Sequence, residues 1–300
     1  NLSPRNPEKI ADVIEVSWRS DRIGRWVSQP DGSTLWMLRV EAPGASLLYV
    51  AMDDSGLRSV RTSVSVGSSE HGPRLGPYSL EGRGSRLFWT PPVSGSELYI
   101  WVSARPTSDT LGRLSIVRVG VGVPAPATSA PAAEDVDGCD GCMRDVACPE
   151  GDGWENEVGS VGRLYNPVSG NSCSGTLLNN TNEDFDPLFL TARHCVATDG
   201  TIISDEELEV LQVQWRHEAL SCCAAEAQDG VYQLSGAWLV AEDCGDDIAL
   251  LRLREAPPGA AEAYWAGWDR SGDAPGASVA IHHGVNYAEQ DPLRKWMSTT

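Results

Sequence analysis

The chain reads LFLTARHC at 188–195 and, further on, CGDDIALLRL at 244–253. The first stretch sets His194 between a small apolar run and Cys195, and the second sets Asp247 at the head of an apolar strand pattern. A histidine acting as general base needs a ring that is held still. A carboxylate on its far nitrogen fixes the tautomer and stabilises the imidazolium that forms. Asp247 is suited to that place, because Ile248, Leu250 and Leu251 beside it are expected to be largely buried. A carboxylate there would be costly unless hydrogen-bonded or paired. Cys195 can bridge to Cys173 at the start of the preceding strand. Closing that loop contributes about 3 kcal/mol and anchors the chain beside the imidazole.

Strand patterns extend outward from these two stretches. CSGTLLNN at 173–180, LFLTA at 188–192, DIALLRL at 247–253 and ASVAIHH at 277–283 read as strands. ISDEELEVLQVQWR at 203–216 is ambiguous: Ser204 with Glu207 has the form of a capping box, whereas VLQVQW alternates. A turn followed by a strand is the expectation there. In the N-terminal part TLWMLRV at 34–40, ELYIWVS at 97–103 and RLSIVRV at 113–119 alternate between apolar and polar, with turn-rich APG, DDSG and PPVSG among them. This predicts a β-sandwich over 1–120. Residues 121–138, VGVPAPATSAPAAEDVDG, hold three prolines, five alanines and no aromatic residue, and read as an exposed linker. Residues 139–300 form the second domain, and the whole is all-β.

Charge divides the chain at the same place. Residues 1–120 carry 14 Lys/Arg and 12 Asp/Glu, and the remaining 180 carry 9 and 30. Such acidity repels phosphates and argues against nucleic acid as a partner. It also keeps a secreted protein soluble. No apolar run approaches the roughly 20 residues that span a bilayer, so no membrane partner is expected. No signal peptide stands at the start, where the first residue is Asn, and the expectation is that the N-terminus was removed or never included. All eight cysteines (139, 142, 148, 173, 195, 222, 223 and 244) lie in the acidic part. An even set in a β-rich domain predicts disulfides and an oxidising compartment. Cys139-x-x-Cys142 has no second close pair at finger-like spacing, which argues against structural zinc.

Thr191-Ala192-Arg193-His194-Cys195 with Asp247-Ile248-Ala249-Leu250-Leu251 resembles the histidine and aspartate motifs of chymotrypsin-like serine peptidases, in the order of that family. CPEGDG at 148–153, Cys173-Ser-Gly-Thr-Leu-Leu-Asn-Asn-Thr181, Tyr264-Trp265-Ala-Gly-Trp268-Asp269-Arg270 and Ile281-His282-His283 narrow the resemblance to the bacterial lysyl endopeptidase branch. Over 139–300 it implies the first barrel and the start of the second in a double β-barrel, with His194 as base and Asp247 as its orienting carboxylate. It also implies a Cys173–Cys195 bond and Cys148 paired with Cys222 or Cys223, with Cys142 paired beyond residue 300. His282 and His283 fall in the barrel framework near the substrate side. Leu75-Gly-Pro-Tyr78 and Leu87-Phe-Trp-Thr-Pro-Pro-Val-Ser-Gly95 resemble the propeptide region of such precursors. That implies a zymogen in which the sandwich contacts the peptidase domain intramolecularly.

The chain departs from the family in its nucleophile. After Asp247 the serines are Ser271, Ser278 and Ser298, none in a Gly-x-Ser-Gly-Gly context. In the family arrangement the serine follows the aspartate by roughly 90 residues, which places it beyond residue 300, together with the basic-residue pocket. The expectation is a precursor of a secreted or periplasmic bacterial endopeptidase cleaving proteins or peptides, with no cofactor, inactive as this chain alone. The competing expectation is a non-catalytic binding or adhesion protein with a pseudopeptidase domain. Lys9 and Lys295 are the only lysines, so lysine-specific processing within 121–138 is excluded by composition, while Arg118 lies just upstream. His71 and His217 are expected to be ordinary surface or satisfied residues, and Trp265 and Trp268 to be core. Asp246 is set aside because alternation would point it away from Asp247.

Overall fold

The N-terminal apolar runs form β1 (Ala11–Arg19), β2 (Arg25–Ser28), β3 (Thr34–Glu41), β4 (Leu47–Asp53) and β5 (Arg61–Gly67). They continue through β6 (Leu75–Ser79), β7 (Leu87–Trp89), β8 (Val93–Ser94), β9 (Glu97–Arg105) and β10 (Ser115–Gly122). In the computed structural model, which describes residues 7–57, 61–81, 85–105, 113–123, 143–222, 224, 228, 230–272, 276–283 and 295–299, these strands make two antiparallel sheets. One is ordered β2-β3-β9-β5-β6; the other is β1-β10-β4-β7, with β8 also on β4. Tyr78 of the first sheet meets Phe88 of the second, their ring centroids 6.3 Å apart. The central β4 buries every residue from Leu47 to Met52, which is why its sequence shows no alternation. Gly120 of β10 sits opposite Tyr49. A side chain there would overlap the Tyr49 ring.

Two compact units result. One comprises Lys9–Pro124 with Pro167–Gly170, and the other Asn1–Glu8, Ala125–Asn166 and Asn171–Thr300. The predicted sandwich end at 120 falls short, because Val121 and Gly122 remain paired to Asp12 and Ala11 in β1. Residues 124–138 of the predicted linker lie outside the described residues, as do Cys139, Cys142 and Cys223.

The second unit is also antiparallel. Its main strands are β11 (Met143–Asp145), β12 (Val161–Asn166), β13 (Asn171–Leu178), β14 (Leu188–Ala192), β15 (Gln212–Trp215) and β16 (Val231–Gln233). They are followed by β17 (Ala237–Asp243), β18 (Ile248–Leu253), β19 (Val279–His283) and β20 (Lys295–Thr299). The main sheet runs β16-β15-β12-β13-β14-β18-β17, and a smaller one runs β11-β20-β19. Leu164, Leu177, Phe189, Val213, Trp215 and Leu251 lie at the centre of the core. The ambiguous segment at 203–216 forms the one-turn helix α1 (Asp205–Leu208), and β15 follows it. Ser204 caps this turn by accepting the Glu207 N–H, a local bond that outweighs the weak helix tendency of so short a piece. The fold is all-β. Among the described residues no helix is long and apolar enough to cross a membrane.

Candidate functional site

Register brings the two opening motifs together. In the antiparallel pair β14–β18, Thr191 faces Ala249 and Ala192 faces Ile248. The next step sets Arg193 against Asp247, and the Arg193 N–H donates to the Asp247 carbonyl at 3.1 Å. His194 lies one residue on, in a 3-10 turn over Arg193–Val196. Its backbone N–H donates to Asp247 Oδ1 at 3.0 Å, and its Nδ1 lies 2.7 Å from Asp247 Oδ2. One carboxylate therefore holds both the backbone and the ring of the histidine. With the proton kept on Nδ1, the lone pair of the neutral imidazole is on Nε2.

Each partner is fixed by its own local structure. Asp247 has φ 56°, a left-handed conformation that a short polar side chain tolerates better than most. The preceding turn is closed by Asp243, whose Oδ1 accepts the N–H groups of Gly245 at 2.6 Å and Asp246 at 3.0 Å. Asp246 is thus committed to the turn. It is separated from Asp247 by backbone conformation, not by strand alternation, since β18 begins only at Ile248. On the histidine side, Cys195 is bonded to Cys173 of β13. Gly175 of β13 leaves room for the Phe189 ring, which packs edge-on to Trp215 and seats β14 in the core. Cys148 is bonded to Cys222. The sulfurs of Cys173 and Cys195 lie close to His194, but they are spent on each other and offer no thiolate to a metal.

Some expectations change here and others do not. The core face of β18 consists of Ala249, Leu251 and Leu253, whereas Ile248 is 45% exposed and Leu250 half-buried. Of the three residues expected to be buried, only Leu251 lies on the core face, because alternation sends Ile248 and Leu250 to the other side. Trp265 packs against the core, but Trp268 is 52% exposed. His217 is buried, with Nδ1 2.7 Å from the Gln228 carbonyl. His282 and His283 lie in β19. His71 is exposed in the other unit, and Cys244 is exposed with a free thiol. The Ser271 hydroxyl donates to Asp269 Oδ2 at 2.9 Å inside a turn, and among the described residues no hydroxyl bonds the His194 ring.

Two supporting residues escaped sequence reasoning. Arg193 donates through Nε to Glu242 and through Nη2 to the Gly200 carbonyl at 3.0 Å, bracing the turn that carries His194. Its only signal was adjacency to the histidine. Ser174 accepts the His283 N–H at 2.7 Å and pairs with the His283 carbonyl at 3.1 Å, while its own carbonyl accepts the Thr191 hydroxyl at 2.8 Å. Partners 109 positions apart leave no local trace.

Residues 136–286 match the family described as lysyl endopeptidase, C-terminal domain. The chain is 26% identical over 282 residues to a lysyl endopeptidase of Pseudomonas aeruginosa, covering 89% of this chain and 58% of that protein. It thus spans less than two thirds of the length of that relative.

Proposed function

The chain belongs to the lysyl endopeptidase family by the domain it matches over 136–286, and on that premise we propose that it is part of a secreted serine endopeptidase precursor. In this reading His194 is general base and then general acid, Asp247 holds its tautomer, and the nucleophilic serine comes from sequence outside these 300 residues. The single observation that supports it most is the double grip of Asp247 on His194, through Oδ1 to the backbone N–H and Oδ2 to Nδ1. A merely structural histidine has no need of a carboxylate that fixes both its main chain and its ring.

The acyl-enzyme route follows from that grip. Nε2 takes the serine proton as the hydroxyl attacks the substrate carbonyl, then returns it to the leaving amine. Asp247 stays ionised and stabilises the imidazolium between the two transfers. Substrates would be proteins or peptides cut after a basic residue. The sandwich unit is the propeptide in this reading, and the Pro/Ala-rich segment that follows it is where the two would be separated.

The test is hydrolysis of a lysyl peptide substrate by the protein carrying its complete peptidase domain. His194→Ala should lower kcat by about 10⁶-fold, as loss of the histidine base does, while residues 1–300 alone should show no turnover. Hydrolysis by His194→Ala within tenfold of the parent rate would overturn the assignment. Turnover by the 300-residue chain would place the nucleophile within it.

A further inference from the structure

Of 23 basic residues in this chain, 21 are arginine and only Lys9 and Lys295 are lysine. Resting on the function proposed above, we infer that the folded chain presents no lysyl bond that a lysine-selective peptidase can reach, and so is protected from its own family's activity. Hydrolysis of such a bond adds the hydroxyl of water to the lysyl carbonyl carbon and a hydrogen to the departing amine, breaking the C–N bond. The substrate must first enter a cleft as an extended, unpaired stretch, so a bond held in paired backbone is cut only from a locally opened state.

Both remaining lysyl bonds are held in that way. Lys9 has an exposed ammonium, paired with Asp12 at 2.7 Å, but the bond it precedes is locked. Ile10 is 6% exposed and Ala11 fully buried. The Ile10 N–H donates to the Gly170 carbonyl at 2.8 Å, and its own carbonyl accepts the Val123 N–H at 3.1 Å. Lys295 lies in β20, the middle strand of its sheet, opposite His283 of β19. It is 0% exposed. Its Nζ donates to the Val158 carbonyl at 2.7 Å and to Glu218 Oε1 at 3.0 Å, and its backbone N–H donates to the His217 carbonyl.

Some arginines are not guarded. Arg22 is exposed in the turn between β1 and β2, and Arg270 is exposed in a segment without regular structure. Exposed ion pairs such as Arg39–Glu97 and Arg105–Asp31 contribute little whichever cation makes them. Lysine would serve at such positions, yet arginine fills them. The protection therefore works against a lysine-selective cut and not against one directed to arginines such as these.

Incubating the native chain with an added lysine-specific protease tests this, with trypsin and urea-unfolded chain as references. The native chain should stay whole while trypsin cuts it at exposed arginines such as Arg22 and Arg270. Arg22→Lys and Arg270→Lys should each open one new site, cut about 100-fold faster than either native lysyl bond. Cleavage of native Lys9–Ile10 or Lys295–Trp296 within about tenfold of the unfolded rate would overturn the inference. So would trypsin sparing the native chain, or both substituted chains staying uncut. Because the protease is supplied, these outcomes do not depend on whether this chain hydrolyses anything; that question is answered by the His194→Ala comparison.

Discussion

Asp247 and Lys295 show how differently single residues acquire their states. Asp247 was legible from sequence because TARHC and DIALL each carry a local pattern. Its left-handed φ and its second bond, to the His194 N–H, were not. Lys295 carried no signal beyond its rarity. Burial lowers its pKa below the ordinary lysine value, with Glu218 opposing the shift. The unfolded chain therefore binds the proton more tightly than the folded one. Between the folded pKa and the ordinary value the unfolded state holds more protons, so stability rises with pH across that window. Urea unfolding as the pH is raised towards the ordinary lysine value of about 10.4 should show this rise, and Lys295→Met should lack it. That variant should also lose about 3 kcal/mol, because Glu218, largely buried, keeps only the more distant Arg216 Nε at 3.9 Å. A parallel rise in Lys295→Met would assign the pH dependence to another group.

At the scale of elements, the β14–β18 register does what neither strand does alone. It turns two motifs 53 positions apart into neighbours. The strands at 188–192 and 247–253 were readable from their apolar content, but period-2 alternation does not say which parity meets the core. Leu250 and Leu251 are equally apolar on paper. Contact with Phe189 and the rest of the core selects Leu251. Neighbouring strand β13 is tied to the turn carrying His194 by Cys173–Cys195, which closes a loop of sequence separation 22. Replacing both cysteines by alanine should lower unfolding free energy by about 3 kcal/mol, chiefly by freeing the unfolded chain. Chemical denaturation of the double variant measures this. An unchanged midpoint would mean that packing of β13 against β14 already holds the turn.

For the whole molecule, the charge imbalance and the two compact units describe the same division, a near-neutral sandwich and a strongly acidic remainder. If the sandwich is the propeptide, adding it in trans to the active peptidase should slow substrate hydrolysis or speed refolding of the acidic unit. No effect on either would count against that role. Sequence by itself determined the all-β class, the pairing of His194 with Asp247, the bridge between Cys173 and Cys195, and the near-absence of lysine. The class and the near-absence of lysine rest on residue identity and short-range pattern, and the pairing and the bridge on resemblance to the family's motifs. Tertiary structure alone decided that Cys148 bonds Cys222 and that Val121 and Gly122 close a sheet. It also decided that Ile248 faces out and that both lysyl bonds lie in paired backbone. The reason is physical: choosing among chemically equivalent neighbours depends on which backbone hydrogen bonds and which core contacts the folded chain completes, and those partners lie tens of residues away.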